Sequence, residues 1–377
     1  MVRVFDSLSN FRDSNIQTSQ DVTQVAAGYF HACARLSNGA VKCWGQSGSQ
    51  GRLGDGTINP SSIPVAVVGL SSGVSTVATG TQTSCALMST GSIKCWGLGY
   101  YGGLGNASTA DSLTPVAAAG IANAVELVAG NGHFCARLST GTVLCWGANS
   151  SGQVGDGTLI DKSVPTATGI TTAVSLAGGT SHSCAALTNG TVQCWGVGNG
   201  GQLGNGLSAN SSVPVLVSGL STAIKVAAGV QHSCALLSGG ALNCWGVRSS
   251  GQLGDGSFGA VVASPGANVP ALSGLTQISA ADKNTCAVTG AGGILCWGYQ
   301  DFGQIGNGTS AIAAGIATPQ SVTGAASGAI SISNGRNSFS LAVINNQLMS
   351  WGNNTDGVFG TGISGGLSLV PVAAGPF

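Results

Sequence analysis

Twelve cysteines form six pairs with one constant spacing of ten residues, and none is left over. Two thiols at a fixed spacing can form a disulfide or supply ligands to a metal ion. Structural zinc takes four ligands and clustered spacings of the C-x₂₋₄-C type, so zinc is the weaker alternative. The pattern favours six disulfides, and with them an oxidising compartment. The pairs are Cys33–Cys43, Cys85–Cys95, Cys135–Cys145, Cys184–Cys194, Cys234–Cys244 and Cys286–Cys296.

The four histidines share one position, two residues before the first cysteine of a pair. A ring of imidazoles around one axis could bind a metal ion. The same position holds Thr83, Asn284 and Ser338 elsewhere in the chain, and these residues share with neutral histidine the ability to hydrogen-bond. We therefore predict hydrogen bonds to neighbouring loops, and no metal site, for His31, His133, His182 and His232.

Three carboxylates lie in Gly-Asp-Gly turns, at Asp55, Asp156 and Asp255. Aspartate and asparagine interchange as turn formers but not as general bases, and calcium needs several clustered oxygen ligands. The pattern predicts structural turns, no catalytic residues and no cofactor. Lys283 and Asp301 depart from the repeated pattern, and we interpret them as isolated surface charges. The residues equivalent to the three aspartates are Asn106, Asn205, Asn307 and Thr361.

Six Asn-x-Ser/Thr sequons are candidate glycosylation sites. All six fall in segments predicted to be turns or loops, so we expect these asparagines to be exposed. Occupancy would require a host that glycosylates such sites. The candidate residues are Asn106, Asn149, Asn189, Asn210, Asn307 and Asn353.

A seven-fold repeat positions these residues. The seven tryptophans are each followed by glycine and are spaced by 52, 50, 49, 50, 52 and 54 residues. We number the copies 1 to 7 in chain order, and they span residues 22 to 374. Residues 1–21 match no part of the repeat, so we predict an N-terminal arm at 1–21 and a repeat domain at 22–377. The tryptophans are Trp44, Trp96, Trp146, Trp195, Trp245, Trp297 and Trp351.

Each copy contains four short apolar or β-branched runs separated by Gly, Asn and Ser, which is typical of strands. Seven such copies predict an all-β fold, a seven-bladed β-propeller with one four-stranded sheet per repeat of about 50 residues. Small residues such as Ala26-Ala27 fit the crowded innermost strands. The tryptophans are expected in the core between diverging sheets.

The cysteine spacing also predicts a hairpin register. If Cys33 and Cys43 lie opposite each other, the loop is Ser37-Asn38-Gly39, and its last residue needs the left-handed conformation that glycine favours. In copy 7 this residue is Asn346, and the paired cysteines are both replaced, by Ser340 and Ser350. Their joint loss indicates that each pair is one functional unit.

The pattern G-x-x-H-x-C-A-L…G-x-V-x-C-W-G…G-Q-L-G-[DN]-G resembles the repeats of the regulator of chromosome condensation family over about 350 residues. The resemblance implies a seven-bladed propeller. The family includes a nuclear exchange factor for a small GTPase, a plant ultraviolet photoreceptor and secreted bacterial enzyme inhibitors. The cysteine pairs resemble the secreted bacterial branch.

Charged residues make up only 6% of the chain, and twelve basic residues balance twelve acidic ones. A nucleic acid or an anionic membrane needs a dense basic face, so neither partner is expected. Residues 1–20 contain no apolar segment of the signal-peptide or membrane-spanning type. If the protein is exported, we expect this chain to be a mature form or an excised segment.

Composition and cysteines together predict an extracellular or cell-surface, non-enzymatic structural or protein-interaction propeller. A surface with few charges favours self-association into a layer or filament. The arm could connect protein molecules by adding a strand to the edge of a sheet in a neighbouring molecule. The alternative function is a secreted inhibitor or ligand-binding propeller that acts through one rim.

Overall fold

The computed structural model describes residues 21–266, 269, 272–310 and 315–375. These residues form seven antiparallel sheets, each built from strands consecutive in the chain, and the predicted seven-bladed propeller is confirmed. Neighbouring innermost strands contact each other, and the first also contacts the last, so the sheets close into a ring. In the described part of the chain no helix is long and apolar enough to cross a membrane.

The innermost strands line the axis, and the strands of each sheet follow outwards in chain order. The innermost strands are β1 (Val22–Ala27), β5 (Val74–Thr79), β9 (Ala124–Ala129), β13 (Ala173–Gly178), β17 (Ala223–Ala228), β20 (Leu275–Ala281) and β24 (Ala329–Asn334). The second strands are β2 (His31–Leu36), β6 (Thr83–Met88), β10 (His133–Leu138), β14 (His182–Leu187), β18 (His232–Leu237), β21 (Asn284–Thr289) and β25 (Phe339–Ile344).

The third strands carry the tryptophans, and the outer strands carry prolines. The third strands are β3 (Val41–Gly45), β7 (Ile93–Gly97), β11 (Val143–Gly147), β15 (Val192–Gly196), β19 (Leu242–Gly246), β22 (Ile294–Gly298) and β26 (Gln347–Asn353). The outer strands are β4 (Ser61–Ala66), β8 (Ser112–Ala117), β12 (Lys162–Ala167), β16 (Ser211–Leu216), β23 (Ile316–Ser321) and β27 (Leu367–Ala373). In the fifth sheet the described residues form three strands and an isolated bridge between Gly246 and Val262.

Antiparallel pairing places two kinds of connection at each end of the ring. The loops from the innermost to the second strand and from the third to the outer strand share one end, which we call the loop rim. The β2–β3-type hairpins and the connections between copies share the other end, the hairpin rim. The propeller interior consists of apolar clusters between adjacent sheets, and all seven tryptophans are fully buried in it.

The predicted hairpin register is correct in copies 1 to 6. Cys33 lies directly opposite Cys43, and the other five pairs have the same register. Gly39 adopts a φ of 79° at the end of the three-residue loop, and the equivalent glycines adopt similar values. All six pairs form disulfides, with no free cysteine in the described residues.

The predicted register of copy 7 is wrong by one residue. Ser350 pairs with Leu341, and Ser340 pairs with Trp351. The hairpin has a two-residue loop, Asn345-Asn346, in which both residues have positive φ. An extra residue before β25 compensates for the shorter loop, so the ten-residue spacing of the two serines is coincidental.

The register shift changes three equivalences in copy 7. Leu341, not Ser340, replaces the first cysteine, while Ser350 does replace the second. Phe339, not Ser338, takes the histidine position, because it pairs with Gly352 as His31 pairs with Gly45.

This register predicts where a seventh disulfide can form. Leu341→Cys combined with Ser350→Cys should form a disulfide, because the two residues are directly opposed. Ser340→Cys combined with Ser350→Cys keeps the native ten-residue spacing, but the two side chains lie on opposite faces of the sheet and should remain free thiols. Mass spectrometry after alkylation of the denatured, unreduced proteins counts the thiols. The opposite outcome in the two variants would contradict the register.

Candidate functional site

The disulfides are structural features of the interior and not a reactive site. Each cysteine is almost fully buried between the second and third strands. A disulfide across an 11-residue loop stabilises the folded chain by at most about 2.8 kcal/mol in the chain-entropy account. Six copies carry this cross-link, and copy 7 does not.

The four histidines are fully buried, and each contacts the next copy. The Nε2 atom of each ring lies within hydrogen-bond distance of a hydroxyl in the next copy. This hydroxyl belongs to the residue directly before the first cysteine of the next copy. The pairs are His31–Ser84 (2.6 Å), His133–Ser183 (2.8 Å), His182–Ser233 (2.9 Å) and His232–Thr285 (2.9 Å). The predicted hydrogen bonds are therefore present, but their partners lie on the second strand of the next copy and not in a loop.

The hydrogen bonds of the hydroxyls determine the state of the imidazoles. Ser233 donates its proton to the carbonyl of Gln202 at 2.9 Å, so its oxygen must accept the Nε2–H of His182. The same arrangement in the other three pairs means that each imidazole carries a proton on Nε2. Burial lowers the histidine pKa to about 4 for His232 and to about 3 for the other three.

The structure places the four histidines in four separate interfaces between copies. Each ring is bound within its own interface, and its Nδ1 atom has no partner among the described residues. No group of three or more His, Cys, Asp or Glu side chains in the described part of the chain could hold a metal ion. The neutral, enclosed rings favour a structural role over proton transfer.

Every tryptophan also links two copies. Its indole Nε1 donates to one backbone carbonyl in the loop that follows the tryptophan of the preceding copy. In five copies a Ser or Thr hydroxyl also donates to that carbonyl, at 2.9 to 3.5 Å. The tryptophan bonds are Trp44–Val358, Trp96–Arg52, Trp146–Gly103, Trp195–Gln153, Trp245–Gln202, Trp297–Gln252 and Trp351–Gln304, at 2.7 to 3.0 Å.

The Gly-Asp-Gly carboxylates form the predicted turns. The Asp55 carboxylate accepts hydrogen bonds from the backbone N–H and the hydroxyl of Thr57, two residues ahead. Asn307 makes the same contacts with Thr309. Because an amide oxygen serves as well as a carboxylate here, the negative charge is not required.

The predicted exposure is wrong at one of the six sequons. Asn149 has no exposed surface, and its Nδ2 donates to Asp156, Thr158 and Ile160. Its side chain holds the loop from inside, so a glycan on Nδ2 would disrupt that loop. Exposed or partly exposed asparagines occupy the other five sequons, where glycosylation stays a prediction: Asn106, Asn189, Asn210, Asn307 and Asn353.

Lys283 and Asp301 are not isolated charges, because Tyr299 connects them. Tyr299 donates its hydroxyl proton to Asp301 at 2.6 Å, and the Lys283 ammonium lies 5.5 Å from the centre of its ring. The hydrogen bond to the carboxylate, together with burial, raises the Tyr299 pKa to about 12. The three residues form a small polar cluster on the loop rim.

The sequence analysis missed Arg336, which lies on the axis. Its side chain extends from copy 7 to the opposite side of the ring, where Nη2 donates to the carbonyls of Ala129, Gly178 and Gly179. It lines a central channel of about 650 Å³ whose walls consist mostly of small residues of the innermost strands. The only sequence signal was an arginine where five other copies have an uncharged residue.

The loop rim carries ten of the twenty large exposed apolar side chains of the described residues, including all four exposed aromatic rings. All four tyrosines of the chain lie in its loops. Every copy contributes at least one exposed apolar or aromatic side chain there, although these residues do not occupy a single repeat position. The exposed residues are Ile58, Tyr100, Tyr101, Leu159, Ile160, Leu207, Phe258, Val261, Phe302 and Ile363.

Two models of the regulator of chromosome condensation (RCC1) repeat match the chain. Together they cover more than half of it, and the matches recur with the tryptophan repeat. The matched residues are 22–52, 38–87, 74–102, 124–153, 140–186, 189–236 and 223–252.

Solved structures with the same fold come from yeast and a moss. Prp20p from Saccharomyces cerevisiae, described with its binding to Gsp1p and histones, is 22% identical, with a TM-score of 0.77 over 89% of this chain and 85% of that chain. Yeast RCC1 (Prp20) bound to Kap60 is 20% identical, with a TM-score of 0.78 over 100% and 90%. The ectodomain of the Physcomitrella patens receptor kinase CR4 is 21% identical, with a TM-score of 0.52 over 88% and 73%.

The buried histidines predict a loss of stability in acid. Their pKa is 6.5 when unfolded and about 3 to 4 when folded, so below pH 6.5 the unfolded chain binds more protons. Each histidine should lower the free energy of unfolding by about 2 kcal/mol between pH 7.5 and pH 5. His182→Asn should lower stability by about 1–2 kcal/mol at pH 7.5, through the changed hydrogen bond, but should lose about 2 kcal/mol less on acidification.

Urea unfolding at both pH values, with the disulfides intact, measures these differences. Asn284 already occupies this position in copy 6, so the variant should fold. Parallel stability losses in the wild type and the variant would mean that His182 titrates normally in the folded protein.

Proposed function

The chain belongs to the regulator of chromosome condensation repeat family, and from this membership we propose that it is a non-enzymatic, protein-binding propeller of the extracellular space or cell surface. The observation that carries the proposal is the concentration of exposed apolar and aromatic side chains on the loop rim. Aromatic residues are enriched in protein interfaces, and an extended exposed apolar surface marks an interaction site.

The rim chemistry favours a protein partner over a charged polymer. Its protruding residues are mostly Ile, Leu, Tyr and Phe, separated by Gly, Ser, Thr and Asn. These side chains can bury apolar area against a protein partner. Loops carried by a rigid ring of sheets are also suited to recognition, because they need little ordering on binding.

The disulfides support the proposed compartment. Six structural disulfides in one chain form and persist in oxidising surroundings and are rare in the cytosol. The same fold occurs in the ectodomain of a receptor kinase, which is consistent with an extracellular role.

The described side chains also favour binding over catalysis. The histidines are neutral and enclosed, and the Gly-Asp-Gly carboxylates are committed to turns. We therefore propose that the protein has no enzymatic activity of its own.

Self-assembly is a second candidate function, favoured by an uneven distribution of charge. The hairpin rim carries Arg35, Lys42, Lys94, Arg137 and Lys225 against Asp21 and Glu126. The loop rim carries Asp55, Asp111, Asp156, Asp161, Asp255, Asp282, Asp301 and Asp356 against Arg52, Lys162, Arg248, Lys283 and Arg336. The loop rim of one molecule is thus complementary in charge to the hairpin rim of another. Head-to-tail contacts of this kind between molecules produce open filaments.

The proposed arm at residues 1–21 offers another route to assembly. Residues 1–20 lie outside the described residues. Six outer strands contain a proline, which disfavours strand addition at those edges. The arm remains a candidate connector between molecules. Contacts between rims are the stronger candidate for assembly. The prolines are Pro64, Pro115, Pro165, Pro214, Pro319 and Pro371.

Substitutions on the loop rim should abolish partner binding. Ile58, Ile160 and Ile363 belong to copies 1, 3 and 7 and are 55%, 69% and 67% exposed. Changing all three to Ser should reduce capture of specific proteins from the extracellular fraction of the source organism at least about tenfold, because apolar contact area is lost. Quantitative mass spectrometry of proteins retained by the unreduced wild type and the variant measures this loss.

The matched control replaces three exposed apolar residues of the outer strands with Ser: Ile63 (55% exposed), Val213 (49%) and Leu216 (57%). It should retain the same partners as the wild type. Partners that survive the rim substitutions, or are lost in the control, would contradict binding through the loop rim. Light scattering of the same proteins, and of a chain without residues 1–20, tests assembly. If molecules stack through their rims, the loop-rim variant should lose assembly. If the arm connects molecules, the chain without residues 1–20 should lose it.

A further inference from the structure

The interface between copies 2 and 3 departs from the repeat at three positions. Thr83 replaces the histidine, and Phe134 replaces the hydroxyl residue that would accept its proton. Gly103 replaces the glutamine or other side-chain-bearing residue that precedes the Leu-Gly of the loop. Thr83 and Gly103 line a cavity between these two sheets, and Phe134 packs in the buried cluster between them. The departures thus concentrate in one interface.

Gly103 leaves open a space that a side chain fills elsewhere. In copies 3 to 6 this position is glutamine, and its Oε1 accepts a backbone N–H two residues earlier in the same loop, as in Gln153 with Ser151. A Cβ at Gly103 would lie 3.2 Å from the Leu98 carbonyl and 3.4 Å from the Thr83 hydroxyl. Leu98 and Thr83 are walls of a cavity of about 500 Å³ that opens on the loop rim.

Two tyrosines stand at the mouth of this cavity. Tyr100 is 67% exposed and Tyr101 is 43% exposed, with ring centres 4.7 Å apart and ring planes at 81°. Copies 3 to 7 contain no tyrosine at the equivalent positions, where Ser150-Ser151 and Asp301-Phe302 are examples. Exposed, differently oriented rings offer flat apolar faces at two angles.

The remaining walls are polar and contain no basic residue. Thr81 donates to the Asn131 amide oxygen, which orients the Asn131 amide group. Asp161 accepts the backbone N–H of Asn149 with one carboxylate oxygen, at 2.7 Å. Gln82, Ser150 and Ser181 add further donors and acceptors to the lining.

We propose that this cavity binds a neutral carbohydrate. A sugar ring has an apolar face of C–H groups, which can stack on an aromatic ring, and an edge of hydroxyls, which hydrogen-bond to amides and carboxylates. The lining offers both. A phosphorylated or otherwise anionic ligand would need a cationic partner, which the lining lacks, and a purely apolar ligand would leave the polar walls unpaired.

The size of the cavity agrees with this assignment. Small-molecule sites typically occupy about 300–1,000 Å³. The carbohydrate site is distinct from the proposed protein-binding function, because it depends on one interface and not on the apolar residues of the whole rim. Either proposal can fail without the other.

Saturation-transfer NMR with glucose, galactose, mannose and N-acetylglucosamine tests the site, with titration calorimetry for any sugar that binds. At least one sugar should bind the wild type with a millimolar Kd. Gly103→Gln restores the residue of copies 3 to 6, and Gly103 does not have a positive φ, so the variant should fold. It should weaken binding at least tenfold by filling the cavity.

Tyr100→Ala combined with Tyr101→Ala should weaken binding to a similar extent and affects only exposed side chains. Phe302→Ala is the matched control, because Phe302 is the copy 6 equivalent of Tyr101 and lies away from the cavity. It should bind the sugar as the wild type does. The proposal is overturned if no sugar of the panel binds, if both cavity variants bind normally, or if Phe302→Ala loses binding equally.

Discussion

The structure depends on one buried hydrogen bond that recurs at every interface, from an indole N–H to a backbone carbonyl of the preceding copy. An unpaired buried polar group costs about 1–3 kcal/mol, so each tryptophan must meet its carbonyl. The contact also explains a glycine in the same loop. The Cβ of a residue at Gly155 would lie 2.7 Å from the Trp195 ring, and Gly155 has a φ of 80°. The tryptophan of one copy and the loop glycine of the preceding copy therefore contact each other across the same interface.

Variation at the interfaces follows the same constraint. A histidine in one copy is always matched by Ser or Thr in the next, because the imidazole donates to that hydroxyl. At the interface that closes the ring, both positions are apolar, Phe339 and Ala32, and both residues belong to one buried cluster. The interface with Thr83 and Phe134 uses neither arrangement, and the cavity opens there. Interfaces that keep the repeat are structural, and the one that departs most carries the candidate ligand site.

Much of this arrangement could be predicted from the sequence. The regular spacing of the tryptophans indicates the number of sheets, and the recurring glycines indicate the positions of the hairpin loops. The register of copy 7 could not be predicted from the sequence. Its turn, Asn345-Asn346, is one residue shorter and the loop before Phe339 is one residue longer, so the total number of residues in the hairpin region is unchanged. Asn149 escaped because a sequon does not report burial. Arg336 and the cavity depend on which residues meet across the ring, and the cavity arises from the absence of a side chain at Gly103.

The central claim is that each tryptophan N–H is held by the preceding copy, and hydrogen exchange of the seven indole protons tests it most directly. NMR in D₂O should show all seven exchanging slowly, with protection lost together when the ring unfolds, since every indole is buried and donates to a carbonyl. Indole protons that exchange as fast as those of free tryptophan, while strand amides remain protected, would contradict this account.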